Sequence, residues 1–190
     1  LEQFRALADA ILLHDRSIHV HCDDSVMRVF EGRESPIRRS RGYAPFPVRL
    51  PFDARPILAV GGELKATFCL ARGDEAFMSQ HIGDMENLET EQAFERALDH
   101  LSGLFRITPE IVAADLHPGY LATQWADRRY GRAVMKVQHH HAHIASVMAE
   151  NGVAAGERVI GLSFDGTGYG ADGAIWGGEV LVADYAGFER

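Results

Sequence analysis

Cysteine is scarce in this sequence. Cys22 and Cys69 are the two in 190 residues. They lie far apart with no CxxC pair beside either, which excludes a zinc ribbon and a disulfide framework and makes a reduced, cytoplasmic setting the simplest expectation. Long apolar runs are missing too. No stretch approaches the roughly 18 to 20 uninterrupted apolar residues of a membrane-spanning helix, and the amino end lacks the basic-then-apolar order of a secretory leader. Basic charge is outnumbered, with 19 Lys and Arg against 27 Asp and Glu and a net charge of -8. Such a chain repels phosphate backbones, so neither nucleic acid nor membrane is expected as a partner.

What the chain does have is apolar side chains, 46% of the total, enough at this length for a sizeable core. It starts at Leu1 rather than Met and stops at Arg190 soon after a strand-like segment, which gives the expectation of a piece of something longer.

Read along its length, the sequence predicts α/β organisation. Phe4, Leu7, Ala8, Ile11 and Leu12 have helical spacing over residues 1–14, and a short strand follows at 18–22. "VMRVFEG" and "SPIRRSRGYAP" read as strands or a hairpin. Four prolines in "APFPVRLPFDARP" are a linker signal, which places a boundary near residues 45 to 56. Beyond it come a strand, a turn at Gly61-Gly62, a strand, a turn at Arg72-Gly73-Asp74 and another strand. Residues 89–105 carry Phe94, Ala97, Leu98, Leu101, Leu104 and Phe105 on one helical stripe, expected to pack in the core. "EIVAADLHPGY" is a buried strand ending in a turn, "YLATQWADRRYG" a helix, and "AVMKV" a strand that leads into a helix opened by histidines. The last segment, from Arg158, repeats the theme of strand, glycine-rich turn and strands.

"VQHHHAH" holds the densest chemistry. His139 and His143 stand at i and i+4, so on a helix both rings project from one face and can converge on an ion. His140 and His141 point elsewhere, where one of them could support the ligands or line a pocket. The bland alternative is structural or solvent-exposed imidazoles. In "FDGTGYG", Asp165 closes a strand, and Gly166, Thr167, Gly168 and Gly170 suit either a backbone nest for an anion or a plain turn. Gly61, Gly62 and Lys65 form a weaker version of the same pattern. Arg38, Arg39 and Arg41 suit a phosphate or carboxylate grip, or merely a solvated charged face. Asp115 and His117 sit where a buried strand ends, a usual place for ligand contacts in open α/β sheets.

Together, "SRGYAP", "SQHIGD", "DLHPGY", "VQHHHAH" and "FDGTGYGADGAIWGGE" resemble the HypF family of hydrogenase maturation carbamoyltransferases, in the right order and over nearly the whole chain. The resemblance implies that residues 1–52 are the end of a YrdC-like domain with its linker. It implies that residues 53–156 are the first lobe of a Kae1-like domain of the actin and Hsp70 (RNase H-like) fold class, and that 157–190 start a truncated second lobe. The implied activity uses carbamoyl phosphate and ATP to make carbamoyl adenylate. The carbamoyl group then passes to the carboxy-terminal cysteine of the partner HypE, for cyanide ligand synthesis in nickel-iron hydrogenase.

On the same resemblance, His139, His143 and Asp165 are catalytic metal ligands, with zinc, iron or an ATP-associated magnesium as the divalent ion. Ser25, Arg38, Arg39 and Arg41 match the ligand-facing end of the YrdC-like domain, and the glycine turns with Lys65 and Thr167 would hold phosphate. A piece of this extent is expected to be inactive alone. Two alternatives compete: a Kae1-type tRNA threonylcarbamoyl transferase, which would want a basic RNA-facing surface, and a non-catalytic metal- or nucleotide-binding module.

Overall fold

Among the described residues the first regular element is a hairpin. In the computed structural model, which describes residues 5–190, β1 (Val26–Phe30) pairs antiparallel with β2 (Arg33–Arg38). Glu31 and Gly32 join them, both at positive φ (49° and 74°), the backbone that a tight two-residue turn demands. The hairpin expected from the sequence is therefore present. Of the helix expected over 1–14, none is present over the described part, 5–14. Residues 1–4 lie outside the described residues, and 5–14 form a turn and irregular chain, with Leu7 and Leu12 exposed. Helical spacing alone does not hold so short a helix without a surface to pack on. The strand expected at 18–22 is likewise irregular.

The proline-rich stretch is no linker. It leads into β3 (Val48–Val60), the longest strand, paired antiparallel with β4 (Phe68–Met78). Pro51 and Pro56 fall where the register breaks, between Arg49 and Ala54 and between Ala54 and Ile57, positions at which a missing N–H costs no ladder bond. The turn expected at Arg72-Gly73-Asp74 is also absent. β4 runs straight through it, and Gly73, at φ 60°, absorbs an irregularity within the strand.

α1 (Leu88–Phe105) presents Phe94, Ala97, Leu98 and Leu101 to the core as its spacing predicts. Leu104 departs from that expectation and is exposed, whereas Phe105 stacks on Phe77 at 3.9 Å. Phe94 meets Phe68 and the Trp125 indole edge-on, at 5.2 and 4.9 Å, and burying each such ring contributes about 1.5–3 kcal/mol.

β5 (Ile111–Asp115), α2 (Leu121–Tyr130), a single 3₁₀ turn, β6 (Val134–Val137) and α3 (His139–Glu150) complete the first layer. The sheet order is β4-β3-β5-β6, with β5 parallel to both neighbours. Asp115 ends β5 opposite Val137 of β6. The strand end carrying Asp115 thus abuts the start of α3.

A second sheet follows, made of β7 (Val159–Ser163), β10 (Glu179–Ala183) and β11 (Phe188–Glu189), with a separate two-residue ladder of β8 (Gly168–Tyr169) and β9 (Ile175–Trp176) between β7 and β10 in the chain. β10 lies between β7 and β11, antiparallel to both. α3 turns Ile144 and Met148 onto Leu181 and Ala183 of this sheet. Gly161 lets the approach happen, because a Cβ there would run into the Ile144 side chain. The opposite face, with Ile160 and Leu162, is exposed.

Candidate metal centre

Three local devices aim the histidines. Gln138 caps α3, its Oε1 accepting the His141 N–H at 2.8 Å, so the helix begins at His139 and its first turn faces the end of β5. Asp115 then takes the His139 ring, Oδ2 accepting from Nδ1 at 2.6 Å, while its Oδ1 accepts the His117 N–H at 2.8 Å. With its proton on Nδ1, neutral His139 offers the Nε2 lone pair outward. Four residues on, His143 brings its Nε2 to 3.1 Å from that of His139. Asp165, just beyond β7, places Oδ2 3.3 Å from His139 Nε2 and 3.7 Å from His143 Nε2.

Two imidazole lone pairs and a carboxylate oxygen thus converge within 4.8 Å of one another. Donors so disposed repel each other unless something positive lies between them, and this set fits zinc, iron and related divalent ions. The electrostatics favour an ion at His143 and Asp165, while at His139 a proton competes with it. The hydrogen bond to Asp115 holds the His139 pKa above the ordinary imidazole value, which burial partly opposes. Burial, then the neighbouring His139, pushes His143 down. For Asp165 burial alone would raise the pKa, but the Ser163 hydroxyl, donating at 2.5 Å, and nearby backbone and histidines outweigh it and keep the carboxylate ionised.

A cleft of about 380 Å³ opens beside His139 and His143, lined by Gly61, Gly62, Asp115 and Ala142, with Cys69 and Phe68 among its apolar walls. The expected site residues divide around it. The Gly61-Gly62 turn borders the histidines, since a Cβ on Gly62 would lie 3.9 Å from His139 Cε1. Lys65 is exposed on the same turn. Gly166 adopts φ 92° directly after Asp165. Gly168 and Gly170 have packing reasons of their own, because a Cβ would meet the His140 ring at one and the Trp176 indole at the other. Thr167 is exposed.

Ser25, Arg38, Arg39 and Arg41 do not join the histidines. Ser25 ties the base of the hairpin, donating to Arg41 O and accepting from Ser40 N. Arg41 reaches Cys22 O and Asp24, and Arg39 O accepts the His81 N–H. Of the remaining histidines, His117 stacks on Tyr120 at 4.2 Å, and His141 donates from Nε2 to Asp184 O at 2.7 Å, fastening α3 to the second sheet. Sequence reasoning missed Gln138, Ser163 and Glu63. The last accepts the Leu121 N–H at the start of α2, and burial raises its pKa. A polar residue just before the histidine run, and a serine two before the aspartate, were the available signals.

Comparison with known proteins decides the family. Residues 52–150 match the model of the HypF Kae1-like domain, and residues 161–190 that of the second subdomain of the carbamoyltransferase Kae1-like domain. The chain belongs to the HypF carbamoyltransferase family. It is 47% identical to carbamoyltransferase HypF2 of Cupriavidus necator over 100% of this chain and 24% of that protein. To carbamoyltransferase HypF of Synechocystis it is 45% identical, over 100% and 25%. The crystal structure of full-length HypF in the phosphate- and nucleotide-bound form superposes with a TM-score of 0.90 at 48% identity, over 100% of this chain and 30% of that one. HypF of T. kodakarensis gives 0.80 at 42% identity, over 89% and 22%. The chain therefore spans about a quarter of the length of the curated HypF relatives it matches, and its mixed α/β fold resembles that of the HypF structures. None of the described helices is long and apolar enough to cross a membrane.

Proposed function

We propose that this chain carries the metal-binding part of an ATP-dependent carbamoyltransferase of nickel-iron hydrogenase maturation. The observation that carries the reading is the convergence of His139, His143 and Asp165 at the junction of the two sheets, in a chain whose relatives are HypF proteins. Residues 53–156 and 157–190 are read as the first lobe and the start of the second lobe of an actin and Hsp70-like domain, and 1–52 as the end of a YrdC-like domain. The two unpaired cysteines accord with a cytoplasmic setting.

In this reading carbamoyl phosphate yields carbamate with release of inorganic phosphate, and the carbamate oxygen attacks the α-phosphorus of ATP as pyrophosphate leaves, giving carbamoyl adenylate. The protein then passes the carbamoyl group to the carboxy-terminal cysteine of HypE, where a C–S bond forms as the C–O bond to AMP breaks. His139, His143 and Asp165 hold a divalent ion, zinc or iron from the donor set, with magnesium accompanying ATP. Such an ion supplies Lewis acidity to a phosphate or carbamoyl oxygen. Asp115 keeps the His139 proton on Nδ1. The backbone N–H groups of Gly62, Gly166 and Thr167, with the Thr167 hydroxyl and Lys65, orient the phosphate, those of Gly61 and Gly170 being taken by Thr67 O and Ala174 O, and the apolar cleft beside them limits water near the reacting carbon. Ser25, Arg38, Arg39 and Arg41 belong to the adenylate-forming side.

The test uses full-length protein with carbamoyl phosphate labelled in its carbon, ATP and HypE. Label is expected on the HypE cysteine and lost in His139→Ala. Equal labelling by that variant, or transfer of label to RNA instead of HypE, would contradict the reading.

A further inference from the structure

Asp165 has a neighbour that none of the roles above uses. His140 is fully buried, and its tautomer is fixed from behind. The Gln138 amide cannot be turned, because its Oε1 already accepts the His141 N–H, so its Nε2 donates to His140 Nδ1 at 2.9 Å. An Nδ1 that accepts leaves the ring proton on Nε2. That Nε2 is buried without a hydrogen-bond partner and lies 3.5 Å from Asp165 Oδ1. A buried donor left unsatisfied is costly, about 1–3 kcal/mol, and a shift of a few tenths of an ångström brings this one within reach of the carboxylate. The ring fits only because residue 168 is glycine.

We infer that His140 is a positioning residue for the metal carboxylate: its Nε2–H and the Ser163 hydroxyl together hold Asp165 Oδ1, which turns Oδ2 toward His139 and His143. The inference rests on the reading of those three residues as a metal site. It also explains why two adjacent histidines differ in kind. His139 is aimed by Asp115 to give a lone pair, and His140 is aimed by Gln138 to give a proton.

The measurements are made on full-length protein. Zinc affinity is determined by competition with a chromophoric chelator for the wild type, His140→Gln and His140→Asn, and the imidazole nitrogens of the metal-free wild type are observed by ¹⁵N NMR. Glutamine places its amide where Nε2 was and is expected to stay within about threefold of wild type. Asparagine places its amide at the Nδ1 position, keeps Gln138 company but cannot reach Asp165, and is expected to lose about 10- to 100-fold. Equal affinity of the two variants, whether both retained or both lost, would overturn the assignment, as would an Nδ1-protonated His140 in the spectrum. Wild-type protein that takes up no more zinc than a His139→Ala/His143→Ala variant would instead remove the metal-site reading, and the His140 tautomer then decides the positioning claim alone.

Discussion

His139 Nδ1 lies 2.6 Å from Asp115 Oδ2, so the last residue of one strand determines which nitrogen of a helix-borne imidazole is free. Asp115 is buried and its second oxygen is occupied by the His117 amide, which leaves the carboxylate little freedom to follow the ring. Asp115→Ala is therefore expected to lower zinc affinity about 10- to 100-fold with His139 and His143 intact. Chelator competition measures this, and an unchanged affinity would show that the helix alone orients the ring.

Two glycines with the same apparent liberty should behave differently. Gly161→Ala drives a methyl into Ile144, between α3 and the second sheet, and overpacking of this kind costs about 1–3 kcal/mol. Its melting temperature should fall while zinc affinity is kept. Gly168→Ala meets His140 instead, so stability and zinc affinity should fall together. Calorimetry and chelator competition on both variants separate the cases.

How much of this was legible beforehand follows from where each signal lies. The spacing of His139 and His143 is local, and a capped helix converts it directly into a shared face. Asp165 was visible as a strand-end aspartate, yet its meeting with the histidines depends on the second sheet packing against α3, which no local pattern states. The supports were harder still. Gln138 reads as an ordinary polar residue until the helix cap gives its amide a direction, and Gly168 reads as a phosphate-loop glycine until the His140 ring is seen beside it. The opposite failure occurred at Pro51 and Pro56, where composition suggested a linker and the register breaks of β3 accommodate both residues.

Cys69 offers a check on the apolar cleft. Burial pushes its thiol up to about 11, because the thiolate would lose its hydration there. The folded state thus favours the neutral thiol, and the stability this gives is lost as pH rises toward that value. At pH 8 only roughly a thousandth of the thiol would be ionised, so alkylation by iodoacetamide should be slow in the folded protein and rapid after denaturation. Fast modification of Cys69 at pH 8 in the folded protein would mean that the cleft is open to water.

The most direct test of the metal centre is elemental analysis of full-length protein, purified without a histidine tag, beside a His139→Ala/His143→Ala variant. About one zinc or iron ion per chain more in the wild type than in the variant is the predicted result. Equal metal content in the two would contradict the account and leave the convergence of His139, His143 and Asp165 as a hydrogen-bonded cluster.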